Sequence, residues 1–231
     1  YFFGIISLIS MILNLPFGIY KTFVIEEKYG FNKTTPKTFI LDFIKGIVLG
    51  AIIGGLLLGV LAYLFQEGGE YFWVYIWAVM TAFSLFFATF YTSLIVPIFN
   101  KLKPLEDGEL RSSKVGFSLK NIFVIDGSKR SSKSNAYFSG LGSKKAIVLF
   151  DTLIEDNSKE ELTAILAHEV GHYKKKHILM SMFLSIAQMG IMFFIFGWLS
   201  QNDNLALALG VEKINFHIAL VAFGMLYAPI S

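Results

Sequence analysis

Leu162-Thr163-Ala164-Ile165-Leu166-Ala167-His168-Glu169-Val170-Gly171-His172-Tyr173-Lys174-Lys175-Lys176-His177 decides how the rest of the chain is read. On an α-helix, positions four apart stand one above the other, so the imidazoles of His168 and His172 can converge on one metal ion. Glu169 lies one position round from His168. From there it can reach a water beside the metal without being a ligand, which is a general-base arrangement.

The sequence predicts that this stretch is helical. Ser158 followed three residues later by Glu161 is a capping box, and Leu162, Ile165, Leu166 and Val170 keep an apolar stripe at helical spacing. Lys174, Lys175 and Lys176 suit the negative end of the helix dipole. His177, five residues beyond His172 and about 140° further round such a helix, falls off the ligand face and reads as an interfacial residue.

Of the 231 residues, 55% are hydrophobic and only 16% charged, and the mean hydropathy is +0.60. A soluble domain of this size is far more polar, so the composition is that of a membrane protein. Cysteine is absent, which removes disulfides, thiolate ligands and a cysteine nucleophile, and leaves histidine and carboxylate as ligands. Two histidines would also accept cobalt or nickel; zinc is preferred from the motif and its coordination habit.

Residues 1–20, 43–65, 72–99 and 178–199 are apolar and about the length that crosses a bilayer, and 216–230 begins another such run. No basic region precedes the first run, so it reads as a span and not as a signal peptide. The chain reads as cut at both ends. Gly46, Gly50 and Gly54, with Gly55 and Gly59, are spaced for close packing against a neighbouring span.

Lys21, Lys28, Lys33, Lys37 and Lys45 follow the first span, and residues 100–177 hold most of the remaining basic residues. The turn 66–70 has none and 200–213 only Lys213, so the long loop and its metal motif belong on the cytoplasmic side. The expected organisation is therefore membrane helices over 1–99, a cytoplasmic catalytic region over 100–177 and further membrane helices over 178–231. Lys174 to Lys176 suit anionic lipid headgroups. Nucleic acid is not an expected partner, because these lysines lack interleaved aromatics and adjoin membrane spans. His217 opens the last apolar run and reads as interfacial.

Within the long loop, 121–126 and 146–150 are β-branched and aromatic runs that read as strands. A strand just before the metal helix could serve in two ways: as an exposed edge that pairs with an extended peptide, or simply as core.

The order of motifs makes a resemblance specific. Leu15-Pro16-Phe17, Tyr29-Gly30-Phe31-Asn32-Lys33-Thr34, Pro104-Leu105-Glu106-Asp107-Gly108, Asp126-Gly127-Ser128-Lys129-Arg130-Ser131-Ser132, Asn135-Ala136-Tyr137-Phe138-Ser139-Gly140, Ile147-Val148-Leu149-Phe150-Asp151-Thr152-Leu153 and Ala167-His168-Glu169-Val170-Gly171-His172 follow one another over nearly the whole chain. This succession resembles the Ste24 type of membrane zinc peptidase, the CAAX prenyl protease family.

The resemblance implies a mainly α fold: a polytopic transmembrane helical bundle enclosing a chamber, with a cytoplasmic zincin-like metalloprotease subdomain carrying a small β-sheet. It implies that His168 and His172 hold Zn2+, that Glu169 is the catalytic carboxylate, and that Asn135 and Ala136 line the substrate cleft. It implies a peptide or protein substrate that is prenylated in eukaryotic members, with membrane lipids around the spans. The location implied is the endoplasmic reticulum membrane of a eukaryote or the cytoplasmic membrane of a bacterium. The family's third zinc ligand, a Glu, is expected beyond residue 231. Around Glu109-Leu110-Arg111-Ser112-Ser113-Lys114 the chain is about two helical turns shorter than the family pattern. The alternatives are a quality-control protease of the heat-shock type, a protease with its metal motif inside a transmembrane helix, and a non-catalytic membrane scaffold or lipid-binding chamber. The intact Glu169 speaks against the scaffold.

Overall fold

The computed structural model describes the backbone of residues 1–105, 121–175, 177–212 and 214–228, and their side chains except those of 169, 170, 172–174 and 203. The expectation for Glu109 to Lys114 lies outside the described residues. The apolar runs are long helices: α1 (Phe2–Tyr20), continuing as a π-helical stretch (Lys21–Glu26), α2 (Pro36–Glu67), α3 (Phe72–Leu94) and the short α4 (Val96–Phe99). Strands β1 (Leu102–Pro104), β2 (Ile122–Ile125), β3 (Ala136–Ser139) and β4 (Ala146–Phe150) follow. Helices α5 (Asp151–Asp156), α6 (Lys159–Lys174), α7 (His177–Ser200), α8 (Asp203–Ala208) and α9 (Phe216–Tyr227) complete the order. Four helical segments are long and apolar enough to cross a membrane: Phe2–Glu26, Pro36–Glu67, Gly69–Phe99 and His177–Ser200. Large apolar side chains such as Leu13, Ile52, Phe183 and Trp198 are exposed along them. A surface of that kind is stable against hydrocarbon and unstable against water. The chain is an integral membrane protein.

The chain divides into two compact units. One comprises Tyr1–Met11, Leu49–Phe83 and Ser181–Ser231. Its core is aromatic: Phe72, Ile76, Phe196, Phe216, Ala219 and Phe223 are buried together. Phe65 meets Phe72 edge-on at 4.9 Å and Phe196 meets Phe223 at 5.4 Å, the arrangement that ring quadrupoles favour. Here α3 and α7 approach closely through α7's glycines. A Cβ at Gly197 would stand 2.9 Å from Cβ of Trp73, and one at Gly190 3.0 Å from the Trp77 ring. The Trp77 indole N–H donates to the carbonyl of Ile186 at 3.0 Å. The glycine stripe of α2 behaves otherwise than expected. Among the described residues nothing lies within 4 Å of a Cβ built at Gly46, Gly50, Gly54, Gly55 or Gly59. A small-residue stripe permits close approach but does not compel it.

The other unit comprises Ile12–Val48 and Ser84–Met180, and is built on a four-stranded mixed sheet in the order β1-β2-β4-β3. β2 and β4 run parallel, with Ile122 opposite Ile147, while β1 and β3 flank them antiparallel. The run Ala146-Ile147-Val148-Leu149 is unbroken apolar because β4 is central and covered on both faces. Strand alternation sends Ile147 and Leu149 to a core with Leu153, Leu162 and Leu166 from α5 and α6, and Val148 to a core with Val96 and Ile125. The strand just before the metal helix is therefore core, and among the described residues the sheet's edges are β1 and β3.

Between β3 and β4, Gly140 has φ +86°, and a Cβ there would stand 2.1 Å from the carbonyl oxygen of Lys144. Gly140→Ala is expected to lower stability by at least about 1–3 kcal/mol, read as a lower midpoint of thermal unfolding in detergent.

The segment joining α1 to α2 is docked on the β2–β3 loop. Lys33 N–H and the Thr34 hydroxyl both donate to the carbonyl of Arg130, and Ser132 N–H donates to the carbonyl of Phe31. The Arg130 guanidinium is bidentate to Asp42 of α2, at 2.7 and 2.9 Å, and also donates to Asn100 Oδ1 and the carbonyl of Phe99. One planar fork thus ties the loop to two helices.

Candidate metal centre and peptide-binding edge

Helix α6 begins at the capping box read from the sequence. Ser158 N–H donates to Glu161 Oε2 at 2.8 Å, and Glu161 N–H donates to Ser158 Oγ at 3.3 Å. The hydrogen bonds from the Ser158 N–H and hydroxyl hold the exposed Glu161 carboxyl below its ordinary range. Leu162 and Leu166 bury one side of α6 in the sheet core, and Ala164, Ala167 and His168 stand exposed on the other. His168 stands on the exposed face, and His172 follows it by one turn of the helix backbone. The side chains of Glu169 and His172 lie outside the described residues, so the convergence of the three motif groups remains a proposal. Helix α6 is described as far as Lys174, and His177 is the first residue of α7.

Two imidazoles one turn apart, with no cysteine in the chain, form a donor set that fits a nitrogen- and oxygen-ligated ion of the zinc type. A third ligand is needed. Among the described residues no group of three His, Asp or Glu side chains gathers to supply a complete site.

Strand β3, which begins at Ala136 directly after Asn135, lies against α6, the helix that holds His168. The N–H of Phe150 donates to the carbonyl of Asn135. In an antiparallel pair the bonding direction alternates, so Tyr137 and Ser139 also bond inward to β4, while the backbone groups of Ala136 and Phe138 turn outward. Among the described residues β3 has no strand on that side. The outward N–H of Ala136 is met by Asn135's own Oδ1 at 2.9 Å. Residues 135–140 carry no strand signal in the sequence, because Asn135, Ser139 and Gly140 mask the alternation of four residues.

The segment leading into β3 is held by side-chain hydrogen bonds to α5. Ser134 Oγ donates to Asp156 at 2.9 Å, and the Thr152 hydroxyl donates to the carbonyl of Lys133. Asp151 accepts from Ser128 N–H, from Thr152 N–H and, by a short contact, from the Ser128 hydroxyl. Partial burial pushes the Asp151 carboxyl up, and these bonds outweigh it, leaving it below its ordinary 3.8. A depressed carboxylate stabilises the fold above its unfolded value, and that stability is lost as pH falls through the folded one. Thermal unfolding measured from neutral pH down past 3.8 is therefore expected to show an acid-side loss that is smaller in Asp151→Asn.

On the opposite face of β3 from α6, Tyr137 and Ser139 meet α3. The Thr92 hydroxyl donates to Ser139 Oγ at 2.6 Å and is also hydrogen-bonded with the Tyr137 phenol. Burial, only partly countered by the Thr92 bond, pushes the Tyr137 phenol up. No sequence signal marked Thr92, which looks like any small polar residue in an apolar helix.

Comparison with known proteins agrees with this architecture. A family model described as the CAAX prenyl protease N-terminal region, with five membrane helices, matches residues 1–101, where three of the candidate spans lie. The model for peptidase family M48 matches residues 107–228. The chain is 43% identical over 210 residues to CAAX prenyl protease 1 of Saccharomyces cerevisiae, covering 88% of this chain and 46% of that protein. It is 34% identical to the CAAX prenyl protease 1 homolog of Homo sapiens, covering 96% and 56%. The crystal structure of S. mikatae Ste24p superposes with a TM-score of 0.90 at 39% identity, covering 99% of this chain and 58% of that one. The chain spans about half the length of the curated relatives it matches. Matched by one model over its first spans and by the other over the sheet and the His168 helix, the chain belongs to peptidase family M48, in the CAAX prenyl protease branch.

Proposed function

We propose that this chain is the membrane and metal-motif part of an integral membrane zinc endopeptidase that removes the last three residues of CAAX-type prenylated proteins or peptides. The observation that supports the reading is that α6, the helix on which His168 stands exposed, packs against β3, which has no strand on its outer side among the described residues. The names of its relatives support the substrate class, and the family supports a metal cofactor. In this reading residues 100–177 form the catalytic region between membrane spans within 1–99 and 178–231. The basic residues of that region support a cytoplasmic side for it, in the endoplasmic reticulum membrane of a eukaryote or the cytoplasmic membrane of a bacterium.

His168 and His172 would hold the ion, with a Glu beyond residue 231 as third ligand. When bound, the ion supplies Lewis acidity, polarising a carbonyl and lowering the pKa of water. The chain's own groups do the rest. Glu169 takes the proton of the attacking water and delivers it to the leaving amine as the peptide bond breaks. The outward N–H and C=O groups of Ala136 and Phe138 pair with the substrate as an added strand, which fixes the scissile bond relative to α6. Asn135, whose amide covers the Ala136 N–H in this structure, exchanges that contact for the substrate backbone.

The test is a pair of peptides, one farnesylated at its CAAX cysteine and its unprenylated twin, given to the full-length protein in detergent. Loss of three C-terminal residues from the farnesylated peptide alone is the expected result. Cleavage of both keeps the peptidase and removes the lipid specificity; cleavage of neither by zinc-loaded protein overturns the proposal.

A further inference from the structure

Strand β3 is four residues long and, among the described residues, bonded to a neighbouring strand on one side only. A short strand of that kind twists and frays unless its side chains are gripped. Alternation gives it two grips. Ala136 and Phe138 pack on the core shared with α5 and α6. Tyr137 and Ser139 point the other way, and there the polar grip is Thr92, near the end of α3. Thr92 is only 7% exposed in a helix otherwise apolar enough to span a membrane, and its hydroxyl is bonded at 2.6 Å to Ser139. A hydroxyl buried in such a helix is costly unless paired, and it pairs here with the strand.

We infer that Thr92 is a positioning residue for substrate binding: through Ser139 and Tyr137 it sets the twist and height of β3, and so the outward backbone groups of Ala136 and Phe138 on which a peptide would pair. The inference rests on the peptidase reading above. Thr92 touches neither substrate nor metal. It acts through the strand, and it makes the membrane span α3 part of the support of the peptide-binding edge.

The experiment compares full-length wild type with Thr92→Val, Thr92→Ser, Ser139→Ala and the Thr92→Val/Ser139→Ala double variant. It reads KM and kcat on a farnesylated CAAX peptide, metal content, and hydrogen exchange of residues 136–139. Valine keeps the shape of threonine and loses only the hydroxyl. Thr92→Val is expected to raise KM about fivefold to tenfold, the worth of one buried hydrogen bond, with kcat and metal content near wild type. Exchange at Tyr137 and Ser139, whose amides bond to β4, should quicken while Ile147, whose N–H bonds to Asn121, stays protected. Thr92→Ser should restore KM, and the double variant should be no worse than the worse single one, because both remove the same bond. Unchanged KM and unchanged exchange in Thr92→Val overturn the inference, as does a fall in kcat and metal with KM unaltered. A wild type that cuts no peptide counts against the peptidase reading, and the exchange measurement still decides whether Thr92 holds the strand.

Discussion

Glu169→Gln is expected to lower peptide cleavage by about 10²–10⁴-fold, the usual worth of a positioned general acid–base group, while the protein keeps its metal. Glutamine matches glutamate in size and helix propensity, so α6 has no reason to unfold. What glutamine lacks is the ability to take a proton from water and give it to an amine. A variant that binds substrate with KM near wild type, holds metal and does not turn over would assign Glu169 to the chemical step and not to binding. Turnover near the wild-type rate would remove Glu169 from the mechanism.

The second large effect is expected at the histidines. His168→Ala or His172→Ala would remove one of the few protein ligands proposed for the ion, so bound metal should fall to near the level of a chelated sample and cleavage with it. His168 is exposed on α6, so its truncation leaves no cavity in the sheet core, and the capping box at Ser158 and Glu161 is untouched. The variant should therefore unfold at a temperature close to that of chelated wild type. Metal analysis of purified protein alongside thermal unfolding separates loss of the ion from loss of the fold. Full metal retention in both variants would place the ion elsewhere.

Much of this architecture was legible in the sequence because its signals are long or chemically strict. A bilayer demands some twenty apolar residues at a stretch, and the four spanning segments announce themselves by that length. The capping box at Ser158 and Glu161 fixed the start of α6, and the unbroken apolar run of β4 reflected a strand covered on both faces. The resemblance rested on motifs whose reasons the structure supplies. Tyr29 to Thr34 and Arg130 to Ser132 belong together because the first segment docks on the second, and Gly127 is fixed by the ring of Phe150, which would lie 2.5 Å from a Cβ there.

Shorter and non-local features escaped. β1 and β3 have three and four residues, too few for an alternation to stand out, and it took the pairing pattern to show that β3 and not β4 has the open edge. Glycine spacing suggested close packing on α2, whereas Gly190 and Gly197 of α7 make it against Trp77 and Trp73. Spacing says which residues share a helix face, and only the partner's position says whether that face is used. Thr92 and the Arg130–Asp42 pair were invisible for the same reason: their partners lie 47 and 88 positions away in the chain.

The central claim is zinc-dependent hydrolysis at the His168 helix, and the most direct measurement is the mass of a farnesylated CAAX peptide incubated with full-length protein first stripped of metal and then given zinc. The account predicts an intact peptide with the stripped protein and a product shorter by its last three residues once zinc is restored. A product of the same mass from the stripped protein, or none after zinc has rebound, would contradict it.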